Sequence, residues 1–237
     1  QIRPRLSTAD NLAFTHYKQG VTTQNPNHSR KMKVLLLGAT GTIGQATLQS
    51  LIRQGHHVVC LRRPVTRPCA EATSSLAAEW RFVDMADPKA VLSQGFQHQR
   101  FDAVVSCLAS RTGLPADAWA VDHRAHLNVL STCPDAGVRH FVLLSALCVQ
   151  KPRLAFQHAK LAFEQALIES GLIYSIVRPT AFFKSLSGQV DRVRQGRPFV
   201  VLGDGQLTAC KPISDADLAD FLAGCLHRPE RHYRILP

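Results

Sequence analysis

The stretch Lys33-Val34-Leu35-Leu36-Leu37-Gly38-Ala39-Thr40-Gly41-Thr42-Ile43-Gly44 decides the fold of this chain. Val34–Leu37 is an apolar run of strand length that ends on a glycine. Gly41 and Gly44 follow at intervals of three, and helix-period residues run from about Ile43 to Gln54. Glycines at this spacing permit a tight turn and let backbone come close to a pyrophosphate. The helix that follows points its first N–H groups at the anion. A glycine triplet alone is weak, but one placed between a strand and a helix is a dinucleotide-binding pattern. Gly38, Thr40, Gly41, Thr42, Ile43 and Gly44 are therefore candidate cofactor contacts.

Outward from this turn, strand-like and helix-like segments alternate. Further strands are expected at His57–Leu61, Arg81–Asp84, Phe101–Cys107, Arg139–Ser145 and Leu172–Val177. Helices are expected over about Asp117–Ala136, Phe156–Ser170 and Asp215–Leu226. Gly137 and Gly171 follow the first two as stop signals. Such alternation implies an α/β fold of Rossmann type, a doubly wound parallel sheet with helices on both faces. From about residue 180 the pattern loosens, through Phe182, Phe183, Pro198, Gly203, Gly205 and Pro212. That segment is the expected substrate side of the 33–237 domain.

Residues 1–32 read as a basic extension. Arg3, Arg5, Lys18, Arg30 and Lys31, with Lys33, face the single acid Asp10 and supply five of the eleven net positive charges. The segment is either a disordered leader or an acid-poor, Ser/Thr/Arg-containing tail of transit-peptide type. Met32 is an alternative natural start. The remaining charge is spread thinly, with no basic run interleaved with aromatics, which argues against nucleic acid. It suits an anionic cofactor and an anionic substrate. No apolar run reaches membrane-span length, so a transmembrane segment is excluded, while peripheral membrane contact and oligomeric state stay open.

The seven cysteines are odd in number and form no CxxC pair, which points to a reducing compartment. Cys60, Cys107 and Cys148 lie in or at the ends of apolar runs, where a thiol behaves as a small hydrophobe. Among the histidines, His56/His57 and His123/His126 are the near pairs, and nothing beside them completes a ligand set. They read as surface histidines, and no metal is expected.

The end of the second strand selects the cofactor. A reader of NAD carries an acid there, about 20 residues after the turn. This chain has Cys60-Leu61-Arg62-Arg63 instead. Arg62 and Arg63 are suited to the 2′-phosphate of NADPH. Position in the fold places Asp84 near the adenine, and the backbone from Ser106 and Cys107 along the cofactor.

An absence is equally informative. Short-chain reductases of carbonyls carry Tyr-x-x-x-Lys on one helical face. Here Tyr17, Tyr174 and Tyr233 are followed four residues later by Val21, Arg178 and Pro237. The lysine that fits is Lys160, and the residue one turn before it is Phe156. A phenyl ring donates no proton. What remains is hydride transfer to a polarised C=C, or cofactor binding without turnover.

Phe101–Gly113, His140–Pro152, Phe156–Glu164, Tyr174–Val190 and Ala209–Ser214 resemble the divinyl chlorophyllide 8-vinyl-reductases, atypical short-chain dehydrogenases of NmrA-like type. The resemblance runs from about residue 33 to the end of the chain. It implies NADPH-dependent reduction of the 8-vinyl group of a divinyl chlorophyllide or protochlorophyllide to ethyl, in chlorophyll or bacteriochlorophyll synthesis. It also implies that the family keeps the lysine and carries Phe in the tyrosine place. By that resemblance Lys160 would be catalytic, holding the nicotinamide ribose and supplying positive charge. Ser145, Pro179 and Thr180 would border the nicotinamide. Phe182 and Phe183 would pack on the pigment or in the core. Lys151, Arg153 or Lys184 would meet its propionate. Family members continue past Arg234–Pro237, so the C-terminal substrate side is expected to be incomplete. A non-catalytic NADP-binding regulator or assembly protein and a reductase of another conjugated alkene are the alternatives. The expected compartment is a photosynthetic bacterial cytoplasm, with a plastid as alternative.

Overall fold

In a computed structural model, residues 30–64, 78–200 and 211–237 are described, with side chains 184–186 excepted. Parallel strands built from β-branched and aliphatic residues form the centre of the body Lys31–Pro237. They are β1 Lys33–Leu37, β2 His57–Arg62, β3 Ala78–Phe82, β4 Ala103–Ser106, β5 His140–Leu144, β6 Ile173–Val177 and β7 Arg234–Leu236. Their order is β3-β2-β1-β4-β5-β6-β7. Every pairing is parallel, with Val34 opposite both Val58 and Ala103.

Side chains alternate across the sheet with period two. Leu35, Leu37, Val59, Leu61, Val104 and Phe141 bury into one core; Val34, Leu36, Val58, Cys60, Val105 and Val142 bury into the other. The second core is covered by α1 Thr42–Arg53 and by α7 Asp215–Gly224. The first is covered by a run of short helices and by the long helix α5. The short run comprises α2 Pro88–Ala90 with a π-helical continuation Val91–Phe96. It continues with α3 Pro115–Ala118, a π-helical segment Trp119–Ala125 and α4 His126–Thr132. The long helix is α5 Ala155–Glu169. Two buried faces give the doubly wound sheet expected from the alternation.

Several elements differ from expectation. The third strand begins three residues earlier, at Ala78, because Arg81 is buried and paired with Glu79 (2.7 Å), Gly95 O (2.6 Å) and Gln99 (2.8 Å). The segment after Pro179 carries a regular helix, α6 Phe183–Arg194. Its apolar residues Phe183, Leu186, Val190 and Val193 recur at helical spacing, and Phe183, Val190 and Val193 are exposed. β7 was not expected. It is a three-residue edge strand with two exposed positions, and Arg178 N–H donates to Leu236 O at 2.7 Å. Its pattern is too short to show alternation.

The surface reading fails for two of the named histidines. His56 and His126 are buried, His56 accepting from Met32 N–H (3.2 Å) and meeting His227 Nε2 at 3.0 Å. Cys148 is also no core thiol: it is exposed, beyond β5 in the 3₁₀ turn Leu147–Gln150. No helix of the described residues is long and apolar enough to cross a membrane.

Candidate functional site

Strand order reverses between β1 and β4, and a parallel sheet opens a crevice outside the carboxyl ends of the strands at such a point. The β1–α1 turn lies at its lip. Gly38 has φ +74, and a Cβ there would stand 2.6 Å from Cys107 C and O and from Leu108 N. Gly44 is tighter, since its Cβ would fall 2.0 Å from Gly38 O. The turn is thus folded back on itself and pressed against the end of β4, as glycine alone allows. Gly41 N–H donates to Gly38 O (3.0 Å), and Gly41 caps α1 without a side chain. The first turn of α1 receives no acceptor from its cap residue, so its N–H groups suit an anion. Thr40 and Thr42 are exposed here, while Ile43 is buried against the α1–α7 core.

The ends of β4, β5 and β6 carry two buried ion pairs, both on α5. Lys160 Nζ pairs with Asp122 Oδ1 at 3.0 Å, with side chains 11% and 0% exposed. One turn on, Glu164 pairs with Arg178 and accepts the Ser145 hydroxyl. Arg178 Nε also donates to Glu164 Oε1 at 3.2 Å. An ionised carboxylate offers acceptors only. Ser145 therefore spends its proton on Glu164 and presents lone pairs elsewhere. Asp122 and Glu164 were not read from the sequence. A lone acid in a helix-period segment looks like a solvated face, and only packing shows these two to be buried.

Ser106 and Cys107 end β4 beside Gly38. The Ser106 hydroxyl is 2.7 Å from His126 Nε2 and accepts Leu108 N–H at 3.3 Å, so toward the crevice its position offers backbone. Burial pushes the Cys107 thiol up to about 11, and its Sγ lies 3.5 Å from Thr47 Oγ1. It is an inert thiol at neutral pH. Asp84 is exposed and accepts Ala86 N–H at 2.9 Å. Pro179 is buried and its carbonyl accepts Leu147 N–H (3.1 Å); the Thr180 hydroxyl donates to Lys211 O (2.5 Å). Beside them lies a cavity of about 260 Å³ walled by Val177, Ile213, Leu218, Phe221 and Pro237. Among the described residues no group of three metal-ligating side chains occurs.

A family model described as NAD(P)H-binding matches residues 38–229. The chain belongs to this NAD(P)H-binding family. Among curated relatives it is 46% identical over 215 residues to the chloroplastic divinyl chlorophyllide a 8-vinyl-reductase of Zea mays, covering 86% of this chain and 54% of the relative. It is 29% identical over 163 residues to the photosystem II assembly factor Ycf39 of Synechocystis, covering 67% of this chain and 47% of that one. Among solved structures, the Bordetella bronchiseptica enzyme WbmG in complex with NAD superposes with a TM-score of 0.74 at 16% identity, over 89% of this chain and 73% of that one. That likeness establishes the fold. The chain spans about half the length of the vinyl-reductases it matches.

Within this NAD(P)H-binding body the remaining expected residues fall in distinct places. Arg62 is half-buried at the end of β2, with its guanidinium 5.8 Å from the centroid of exposed Phe82, and Arg63 is exposed just beyond it. Both lie on the β2 side of the crevice, β2 itself carries no carboxylate, and the Asp117 carboxylate feels the charge of Arg63. Phe156 and Lys160 share a face of α5, one turn apart. Tyr174 and Tyr233 pack edge to face at 5.7 Å. Tyr174 opens β6 and so lies at the opposite end of the sheet from the crevice. The two phenylalanines part company: Phe182 packs on the core beside Ile213, whereas Phe183 is 56% exposed. Lys151 and Arg153 are exposed after β5. The Lys184 side chain lies outside the described residues, as do residues 1–29 of the basic extension, Cys69 and Cys210.

Proposed function

We propose that this protein is an NADPH-dependent reductase of a conjugated C=C bond, with the 8-vinyl group of divinyl chlorophyllide or protochlorophyllide as its substrate. The observation that carries the reading is the pairing of Phe156 with Lys160 on α5. On this reading α5 supplies the lysine of carbonyl reductases and a phenyl ring in place of their phenol. The 46% identity to the Zea mays vinyl-reductase supports the substrate class. Bound in the crevice, NADPH would supply a hydride to the outer vinyl carbon; a proton from water then completes the ethyl group. The macrocycle spreads the intervening negative charge, so no oxyanion needs a donor.

This chain's own residues would bind and orient. Gly38–Gly44 and the start of α1 take the pyrophosphate, and Arg62 with Arg63 takes the 2′-phosphate. Lys160 holds the nicotinamide ribose. Ser145 accepts from the nicotinamide amide, with Pro179 and Thr180 beside the ring. Phe183 offers an exposed ring to a flat pigment, and Lys151 or Arg153 a cation to its carboxylate. The chloroplastic relatives favour a plastid over a bacterial cytoplasm for this protein.

The test is incubation of the protein with divinyl chlorophyllide a and NADPH, with pigments separated by chromatography. Monovinyl product is expected. Its absence, with NADPH bound, would favour the second reading, a non-catalytic NADP-binding assembly factor, for which the similarity to Ycf39 is the supporting observation.

A further inference from the structure

Helical segment 115–132 carries a π turn, Trp119–Ala125, in its middle. A π turn inserts a residue and disturbs the regular carbonyl ladder, and such turns gather at functional sites. Here the turn sets Asp122 inward. The Val121 carbonyl oxygen is 2.9 Å from His126 Nδ1, which must therefore be the donor. That leaves His126 Nε2 to accept the Ser106 hydroxyl at 2.7 Å. Burial, and then the charge of Lys160, lowers His126 to about 4, so the ring stays neutral in this arrangement. The π turn is thereby pinned to the end of β4 on one side. On the other, Asp122 accepts the Ser110 hydroxyl at 2.5 Å and its N–H at 3.4 Å, and pairs with Lys160 at 3.0 Å. Ser110 belongs to the loop after β4, next to the Cys107–Leu108 backbone that touches Gly38.

A lysine ammonium has three N–H donors. Asp122 occupies one. The ribose of a dinucleotide presents two adjacent hydroxyls, which matches the two that remain. We infer that Asp122 is a positioning residue for NADPH: it fixes Lys160 so that its two other N–H groups meet the ribose diol, and through Ser110 it ties that lysine to the cofactor-lining loop. The inference rests on the placement of Lys160 at the ribose proposed above. It adds a buried carboxylate, outside the glycine turn, whose loss acts only through the lysine.

A double-mutant cycle on the 237-residue chain tests it. NADPH affinity is measured by fluorescence titration in the parent, Asp122→Asn, Lys160→Met and the double variant, with melting temperature recorded for each. Asp122→Asn is expected to weaken NADPH by about tenfold or more, and the double variant to lie within about twofold of Lys160→Met. Additive losses overturn the proposal. So does an Asp122→Asn variant that melts lower yet binds NADPH as the parent does. If Asp122→Asn does not fold, Ser110→Ala replaces it in the same cycle, with the same non-additivity expected and additivity again decisive. A parent chain that binds no NADPH would overturn the Lys160 placement itself, and that outcome is distinct from additivity.

Discussion

Replacing the three turn glycines by alanine, one at a time, separates folding from binding. At Gly38 the backbone sits at φ +74, where alanine costs about 1–2 kcal/mol. Its Cβ would also meet three backbone atoms of Cys107 and Leu108 at 2.6 Å, so the end of β4 must give way, at about 1–3 kcal/mol. Together these destabilise by roughly 2–5 kcal/mol, which for a body of this size lowers Tm by roughly 5–20 °C. At Gly44 the clash with Gly38 O at 2.0 Å outweighs the gain of about 1 kcal/mol from placing alanine in a helix. Gly41 is different. Its φ of −80 and ψ of 165 suit alanine, and the nearest atom to its Cβ is Gly38 O at 3.5 Å, an ordinary contact. Alanine there narrows the unfolded ensemble and is expected to raise stability by about 0.4–1 kcal/mol. Yet the same methyl group stands where backbone must approach a pyrophosphate. Gly41→Ala should therefore melt at or above the parent and bind NADPH at least about tenfold more weakly, a loss of about 1.4 kcal/mol. Thermal melts and NADPH fluorescence titrations read the two quantities independently. Parent-like binding in Gly41→Ala, or a parent-like melt in Gly38→Ala, would refute the reasoning.

Arg62→Ala combined with Arg63→Ala is expected to weaken NADPH while leaving NADH unchanged; an unaltered ratio of the two affinities removes both residues from 2′-phosphate recognition. Acid should destabilise the fold. Burial holds His56 and His126 at about 4 and His140 at about 3, so between those values and about 6.5 the unfolded chain binds protons that the native one does not. Stability is thus fully present above about pH 6.5 and declines as pH falls below it, by up to about 3 kcal/mol for His126 alone. Urea unfolding across this window checks the slope, which His126→Gln should reduce by close to one proton. Ser145→Ala removes an acceptor rather than a proton source. It should raise KM for NADPH and leave the pH profile of kcat unmoved, and a shifted profile would contradict that role.

The glycine turn and the central strands were legible because their signals are local: an apolar run, a glycine at a left-handed turn, a helix period. The place of Arg62 at the end of β2 was legible because Leu61, just before it, pairs with Leu37 at the glycine turn; the part that Arg62 and Arg63 play at the 2′-phosphate belongs to the proposal. β7 was not, since an edge strand of three residues is too short to show alternation; α6 was missed although Phe183, Leu186, Val190 and Val193 recur at helical spacing, because the prolines and glycines around them read as loop signals. His126 misled for a related reason. A histidine near other histidines looks like surface or metal chemistry, and its true partners, Ser106 and the Val121 carbonyl, meet it only through the π turn.

The charges at the carboxyl end of the sheet argue for what this crevice does not do. Lys160 is matched by Asp122 and Arg178 by Glu164, so two cations and two anions are buried around one turn of α5 with no net charge. The Ser145 proton is committed to Glu164, the ring at Phe156 has none to give, and the His126 Nδ1–H faces a backbone carbonyl. Removing either acid would strand a buried cation at a cost of about 3–5 kcal/mol, so the arrangement is rigidly held. A site that caps a developing alkoxide needs an aimed donor with a mobile proton. These side chains have instead spent their protons on one another, leaving the Lys160 ammonium and the acceptor face of Ser145. On the proposed reading that arrangement seats a dinucleotide and fixes its ribose, and the second reactant carries its own charge, as a conjugated macrocycle does and an isolated carbonyl does not.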